Sequence, residues 1–215
     1  MAAITVVILG QKGGTRKSTI GRALAVAYSR SGWKVLLVDM DPKQATAISW
    51  NLRRQARNQL PAVEMALHST TSAALAAGNG YDLVIIDTKG FASKETAELA
   101  QAADLVLIPS ATGLDDLEPS VTLAMVLAQE HGIAANKILF PLTNPGKSEI
   151  EAAEAAIYLG KAGFQATPGF ISMMTCFSKA HDQGRSVIEV AAPGPKRQAN
   201  NWISGIIAHI DQIAA

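Results

Sequence analysis

Two lysines, Lys12 and Lys17, bracket the short stretch Gly13-Gly14-Thr15-Arg16, and Ser18 and Thr19 follow at once. Ahead of it runs Ile4-Thr5-Val6-Val7-Ile8-Leu9, an apolar, β-branched strand pattern. Behind it Ile20, Leu24, Ala27 and Tyr28 recur at helical spacing. Strand, glycine turn and helix in that order make a phosphate cradle. The N–H groups of Gly13, Gly14, Thr15 and Arg16, the positive end of the helix dipole and a lysine converge on one anion. Lys17-Ser18 is the pair such a loop needs, the lysine for the outer phosphates and the hydroxyl for Mg²⁺.

Carboxylates follow two later strands. Val38-Asp39-Met40-Asp41-Pro42 places two acids at a strand end, where they can hold magnesium waters or orient a nucleophilic water. Asp41 before Pro42 also reads as a helix cap, a role that leaves Asp39 unexplained. Tyr81-Asp82-Leu83-Val84-Ile85-Ile86-Asp87 ends an apolar run in an acid, the pattern of a carboxylate in a magnesium shell.

The stretch from Lys12 to Ser18 resembles the deviant Walker A loop of the ParA/MinD family of ATPases. That resemblance assigns Lys12 to a partner subunit's nucleotide, Lys17 to the phosphates and Ser18 to magnesium. Asp39-Met40-Asp41-Pro42 is similar to the family's switch I, which implies that Asp41 positions the attacking water and Asp39 supports the Mg²⁺ shell. Asp87-Thr88-Lys89-Gly90 resembles Walker B and switch II, with Lys89 expected to be solvated. Asp104-Leu105-Val106-Leu107-Ile108-Pro109 resembles the family's next strand. Phe177-Ser178-Lys179-Ala180 and Gly184-Arg185-Ser186-Val187 resemble a late segment of partition ATPases. The family often reads adenine with an asparagine near Asn144, which as a residue before Pro145 is equally a turn former.

One position departs from the family pattern, which has glycine where this chain has Arg16. Backbone must approach phosphate closely there, so a side chain is expected to strain the turn and weaken ATP binding.

These residues must be positioned by alternating elements. Strand patterns fall at 3–9, 34–39, 63–67, 82–87, 104–109, 137–142 and 168–172. Helical ones fall at 17–30, 43–58, 70–77, 93–101, 115–131, 148–162, 173–183 and 197–213. The alternation predicts an α/β fold, one doubly wound and mainly parallel sheet with helices on both faces, in a single domain over 1–215. Ligands of such sheets sit beyond the carboxyl ends of the strands.

With 48% hydrophobic and 17% charged residues, the 215-residue chain suits a sheet covered on both faces. A net charge of +1 gives no global attraction to nucleic acid. Any DNA contact must be local, and Lys179, Arg185, Lys196 and Arg197 are the candidates. The lone Cys176 excludes an internal disulfide and reads as a small core residue. No apolar run reaches the roughly 20 residues of a membrane span, and no signal peptide or N-terminal DNA-binding domain is expected ahead of the first strand.

The resemblance implies an ATP- and Mg²⁺-dependent homodimer that binds DNA non-specifically and positions a plasmid, chromosome or other cargo. A ParB-like adaptor would stimulate hydrolysis, in a cytoplasmic, nucleoid-associated setting. Two alternatives stand beside it. A MinD-like membrane cycle would use the apolar stripe from Trp202 to Ile213, but residues 200–215 lack the Lys or Arg that anionic lipid requires. A nucleotide-impaired binding module would follow if Arg16 spoils the loop.

Overall fold

The computed structural model describes residues 3–10, 13–89, 94–143, 146 and 148–215. Eight strands form one sheet: β1 Ile4–Ile8, β2 Val35–Asp39, β3 Glu64–Leu67, β4 Leu83–Asp87, β5 Leu105–Leu107, β6 Ser110–Ala111, β7 Ile138–Thr143 and β8 Gln165–Ile171. The order is β3-β2-β4-β1-β5-β7-β6, with β8 also paired to β7, and every pairing is parallel. Among the described residues the α-helices are α1 Lys17–Arg30, α2 Thr46–Ala56, α3 Thr71–Ala76, α4 Lys94–Ala102, α5 Leu114–His131, α6 Glu149–Lys161, α7 Thr175–Asp182 and α8 Pro193–Ala214.

Side chains alternate across the sheet, so Val6 and Ile8 pack on one side and Val7 and Leu9 on the other. The first core is closed by α1, α2, α7 and α8, the second by α3 to α6. A sheet buried on both faces explains why its central strands are apolar without polar alternation.

The elements differ from the sequence reading where proline or a distant contact intervenes. The strand expected over 104–109 is split, β5 and β6 pairing successive parts of β7, because Pro109 has no N–H to donate. The β7–β8 register shifts between Phe140 and Leu142, at Pro141. The last strand begins at Gln165 rather than 168, and the last helix at Pro193 rather than 197, with proline in its first turn. Trp202, Ile203, Ile206 and Ile210 of α8 are buried in the first core, and Tyr28 of α1 donates a hydrogen bond to Asp211 at 2.8 Å. The stripe that a lipid surface would need is thus packed on its own sheet. Cys176 packs against the same core.

Candidate nucleotide site

Strand order brings the chemistry together. β4 lies between β2 and β1, so Asp87 is in register with both Asp39 and Ile8. The phosphate loop, which leaves β1, therefore stands beside two carboxylates. A cavity of about 510 Å³ opens there, and Gly13, Gly14, Thr15, Arg16, Lys17, Ser18 and Thr19 line it together with Asp39, Asp41 and Asp87. Lys12 and Asn144 lie outside the described residues.

Each carboxylate has its own environment. Asp39 is buried, and its oxygens accept N–H groups of Asp41 at 2.9 Å and Ala47 at 3.0 Å. It holds the segment after β2 and caps α2. Asp41, read from the sequence as a possible cap, instead accepts from Lys43 and Gln44 within a turn, both at 3.2 Å. That turn, followed by Ala45 at φ 44°, starts α2 at Thr46 instead of residue 43. Asp87 is pushed up to about 6, first by burial and then by Asp39, while the Ser18 hydroxyl bonded to it and the cations Lys17 and Arg22 oppose the rise.

The residues present fit Mg²⁺. Asp87 Oδ1 is buried with no hydrogen-bond partner, next to the Ser18 hydroxyl that the loop brings to the same carboxylate. Among the described residues no cluster of three His, Cys, Asp or Glu could hold a metal alone. Magnesium commonly takes one or two carboxylates and completes its shell with phosphate and water.

The cations are arranged around the same space. Burial lowers the pKa of Lys17, and Asp87 and Asp41 resist that. Arg22, unnoticed in the sequence, is 6% exposed and lowered to about 10 by burial. It donates to the Thr46 carbonyl at 2.8 Å and lies 5.6 Å from the centre of the Trp50 ring. It ties the loop helix to α2, and a charge amid the apolar residues of α1 was its one visible signal. Thr46, Met173 and Ser178 also line the cavity, Ser178 from the late segment that resembles partition ATPases. Lys89 is exposed at the cavity edge.

Arg16 has φ 71° and ψ 19°, left-handed backbone that costs a non-glycine residue about 1–2 kcal/mol. Its side chain lines the cavity, with burial lowering its pKa. Arg16→Gly is expected to tighten ATP binding roughly tenfold or more, as about 1.4 kcal/mol of strain relieved where the bound loop closes on the phosphates implies. Calorimetric titration reads the effect. Equal or weaker binding would show a loop adapted to arginine.

His181 of α7 faces the same cations. Burial, then Arg22, Arg16 and Arg53, lower it from 6.5 to about 3, and its Nε2 is buried without a partner. The fold holds it neutral, so the stability it contributes is present above about pH 6.5 and is lost as pH falls towards 3. By pH 5 the loss is about 2 kcal/mol. Asp87 acts with opposite sign, because its raised pKa makes the folded form bind the proton more readily. His181→Gln isolates the histidine: its loss of stability between pH 7.5 and 5, read by urea unfolding, should be smaller than wild type by about 2 kcal/mol. Identical losses would refute the assignment.

The four DNA candidates lie on the face closed by α1, α2, α7 and α8. Lys179, Lys196 and Arg197 are exposed and Arg185 is half-buried. Arg53, not singled out in the sequence, joins them by donating to the His181 carbonyl at 3.3 Å.

A parallel sheet with a phosphate loop after β1 and acids ending β2 and β4 is the architecture of a P-loop nucleotide-binding protein. The chain belongs to the CobQ/CobB/MinD/ParA nucleotide-binding family, matched over residues 6–187, and within it to the ParA/MinD deviant Walker A type. It is 27% identical over 144 residues to the protein ParA of Rhizobium radiobacter, 65% of each chain, so it spans about two-thirds of that relative's length. In fold it is similar to the septum site-determining protein MinD of Pyrococcus horikoshii, solved with Mg-ADP (TM-score 0.72, 19% identity, 99% of both chains). It is also similar to a ParA family ATPase of Chlorobium tepidum (TM-score 0.70, 17% identity, 94% of this chain and 99% of that one). No helix among the described residues is long and apolar enough to cross a membrane.

Proposed function

We propose that this chain, as a single P-loop domain, is a ParA-type ATPase that positions cargo, in plasmid or chromosome partition or a related task. The observation that carries the reading is the row of Lys17, Ser18, Asp39, Asp41 and Asp87 around one cavity. Lys17 and the loop N–H groups bind the phosphates. Asp41 orients the attacking water, and Asp39 fixes the segment that carries Asp41. Ser18 and Asp87, with Asp39 supporting the shell, would hold Mg²⁺, which would neutralise charge on the transferring phosphoryl group. Lys12 reaches the partner subunit's nucleotide, Asn144 reads adenine, and the ATP-bound dimer binds DNA through Lys179, Arg185, Lys196 and Arg197. A ParB-like adaptor stimulates hydrolysis and releases the dimer.

Two lysines in one loop need more than one phosphate to neutralise them. Dimerisation is therefore expected with a non-hydrolysable ATP analogue and not with ADP. Sizing chromatography with light scattering checks this, and Lys12→Ala should stay monomeric. A chain that binds no nucleotide at all would instead favour an impaired binding module, to which the strained Arg16 backbone points. DNA binding by the dimer should fall steeply with salt and with removal of the four charges.

A further inference from the structure

A second recess, of about 340 Å³, opens between α1, α2 and α7. Arg22, Ser49, Arg53, Ser178, His181 and Asp182 line it. Arg22 and Ser178 line the nucleotide cavity as well, so the two spaces adjoin.

The recess gathers positive charge that the protein only partly offsets. Arg22 donates one terminal nitrogen to the Thr46 carbonyl, and its Nε is buried with no partner. Asp87 and Asp39 of the nucleotide cavity offset part of its charge. Arg53 is half-buried, and its Nε donates to the His181 carbonyl. Among the described residues neither arginine forms an ion pair. Asp182, the one acid of the lining, is exposed. His181 Nε2 is buried without a partner as well. Native folds seldom leave buried nitrogens unpaired, and two at one recess mark a missing acceptor.

We propose that this recess binds inorganic phosphate, and that it receives the phosphate leaving the nucleotide cavity. The second part rests on the ATPase reading; the first does not. Two guanidinium groups suit a dianion, whose oxygens accept charge-assisted N–H bonds. The Ser49 and Ser178 hydroxyls and the neutral imidazole can donate to the oxygens that remain. A nucleic-acid phosphodiester carries one charge and an ester on each side, so its strand would have to enter with it. Phosphate freed beside Asp39, Asp41 and Asp87 is repelled by three carboxylates, and Arg22, shared by both spaces, draws it onward.

The probe is inorganic phosphate, titrated into the full chain without nucleotide at constant ionic strength, with chloride and a short DNA duplex as controls. Histidine ring NMR signals report binding, and His181→Gln identifies the signal of His181. That signal is expected to move with phosphate and with neither control. Lys17→Ala, which disables the phosphate loop, should leave the shift intact. Arg53→Gln and Ser49→Asp should each weaken phosphate binding by at least about tenfold. Ser49 is exposed, so Ser49→Asp should fold as wild type does even where Arg53→Gln does not. In ATP turnover, phosphate should inhibit, and Ser49→Asp should raise the inhibiting concentration at least about tenfold while inhibition by ADP is unchanged. No shift, a shift lost in Lys17→Ala but kept in Ser49→Asp, or a shift with the duplex alone would overturn the site. Equal inhibition of Ser49→Asp and wild type by phosphate would overturn the product role. A chain without turnover would remove the ATPase reading and the product role with it, and the phosphate titration would still decide the site.

Discussion

Gly184→Ala is expected to leave little folded protein. Gly184 follows α7 at φ 72°, where an L side chain is strained whatever the space. Here there is no space either. A Cβ would fall against the backbone N and Cα of Arg54, and 2.7 Å from the carbonyl carbon of Arg53. Backbone inside a helix cannot give way as a flexible side chain can. The contact is also part of a clamp. The Arg54 guanidinium, 1% exposed, donates to the carbonyls of Gly184 and Pro61 and pairs with Glu189 at 2.8 Å. Next to it, the Trp50 indole donates to the Arg185 carbonyl. Displacing residue 184 pulls this pair apart, and a buried charge that loses its partner costs about 3–5 kcal/mol. Domains are stable by only about 5–15 kcal/mol, so the variant should unfold at far lower urea than wild type. Gly160→Ala is the control. Gly160 lies inside α6 with nothing within 4 Å of its would-be Cβ, and alanine should stabilise there by about 0.5–1 kcal/mol. Equal stability of Gly184→Ala and wild type would show that α2 and α7 are not locked as described.

Lys17→Ala is expected to weaken ATP binding by at least about a hundredfold, or about 2.7 kcal/mol. The lysine sits half-buried between the loop and two acids, and the attraction of Asp87 and Asp41 acts against its desolvation. Without it a polyphosphate would enter a cavity whose walls still carry Asp39, Asp41 and Asp87. Like charges at short range in a partly desolvated site repel strongly. The fold should persist, because alanine is the best helix former and the change falls at the first position of α1. Circular dichroism verifies that, and calorimetric titration gives the affinity. Lys43→Ala, an exposed turn residue, should stay within about twofold of wild type. Binding by Lys17→Ala within tenfold of wild type would mean that the phosphates are held elsewhere.

Local chemistry made much of this legible from the sequence. A glycine turn between a β-branched strand and an apolar helix implies a phosphate loop wherever it occurs, since N–H groups and a helix dipole are local properties. Apolar runs alternating with helical periodicity implied a doubly covered parallel sheet because each pattern records which face of its own element is buried. Arg16 could likewise be marked as strained from its place in the loop, and φ 71° bears that out.

The tertiary structure decided how those pieces meet. Nothing local says that β4 inserts between β1 and β2, yet that order sets Asp87 beside Asp39 and the loop. The division of work between Asp39 and Asp41 was equally hidden. Both precede the same helix, and only the turn at 41–44 shows that Asp39 does the capping. Arg22, Ser178 and His181 acquire their meaning from neighbours on other elements, and the clamp on Arg54 joins residues more than a hundred positions apart. Closing a longer loop costs only slowly more entropy, so chain distance scarcely constrains which elements pair. Packing of whole faces makes that choice.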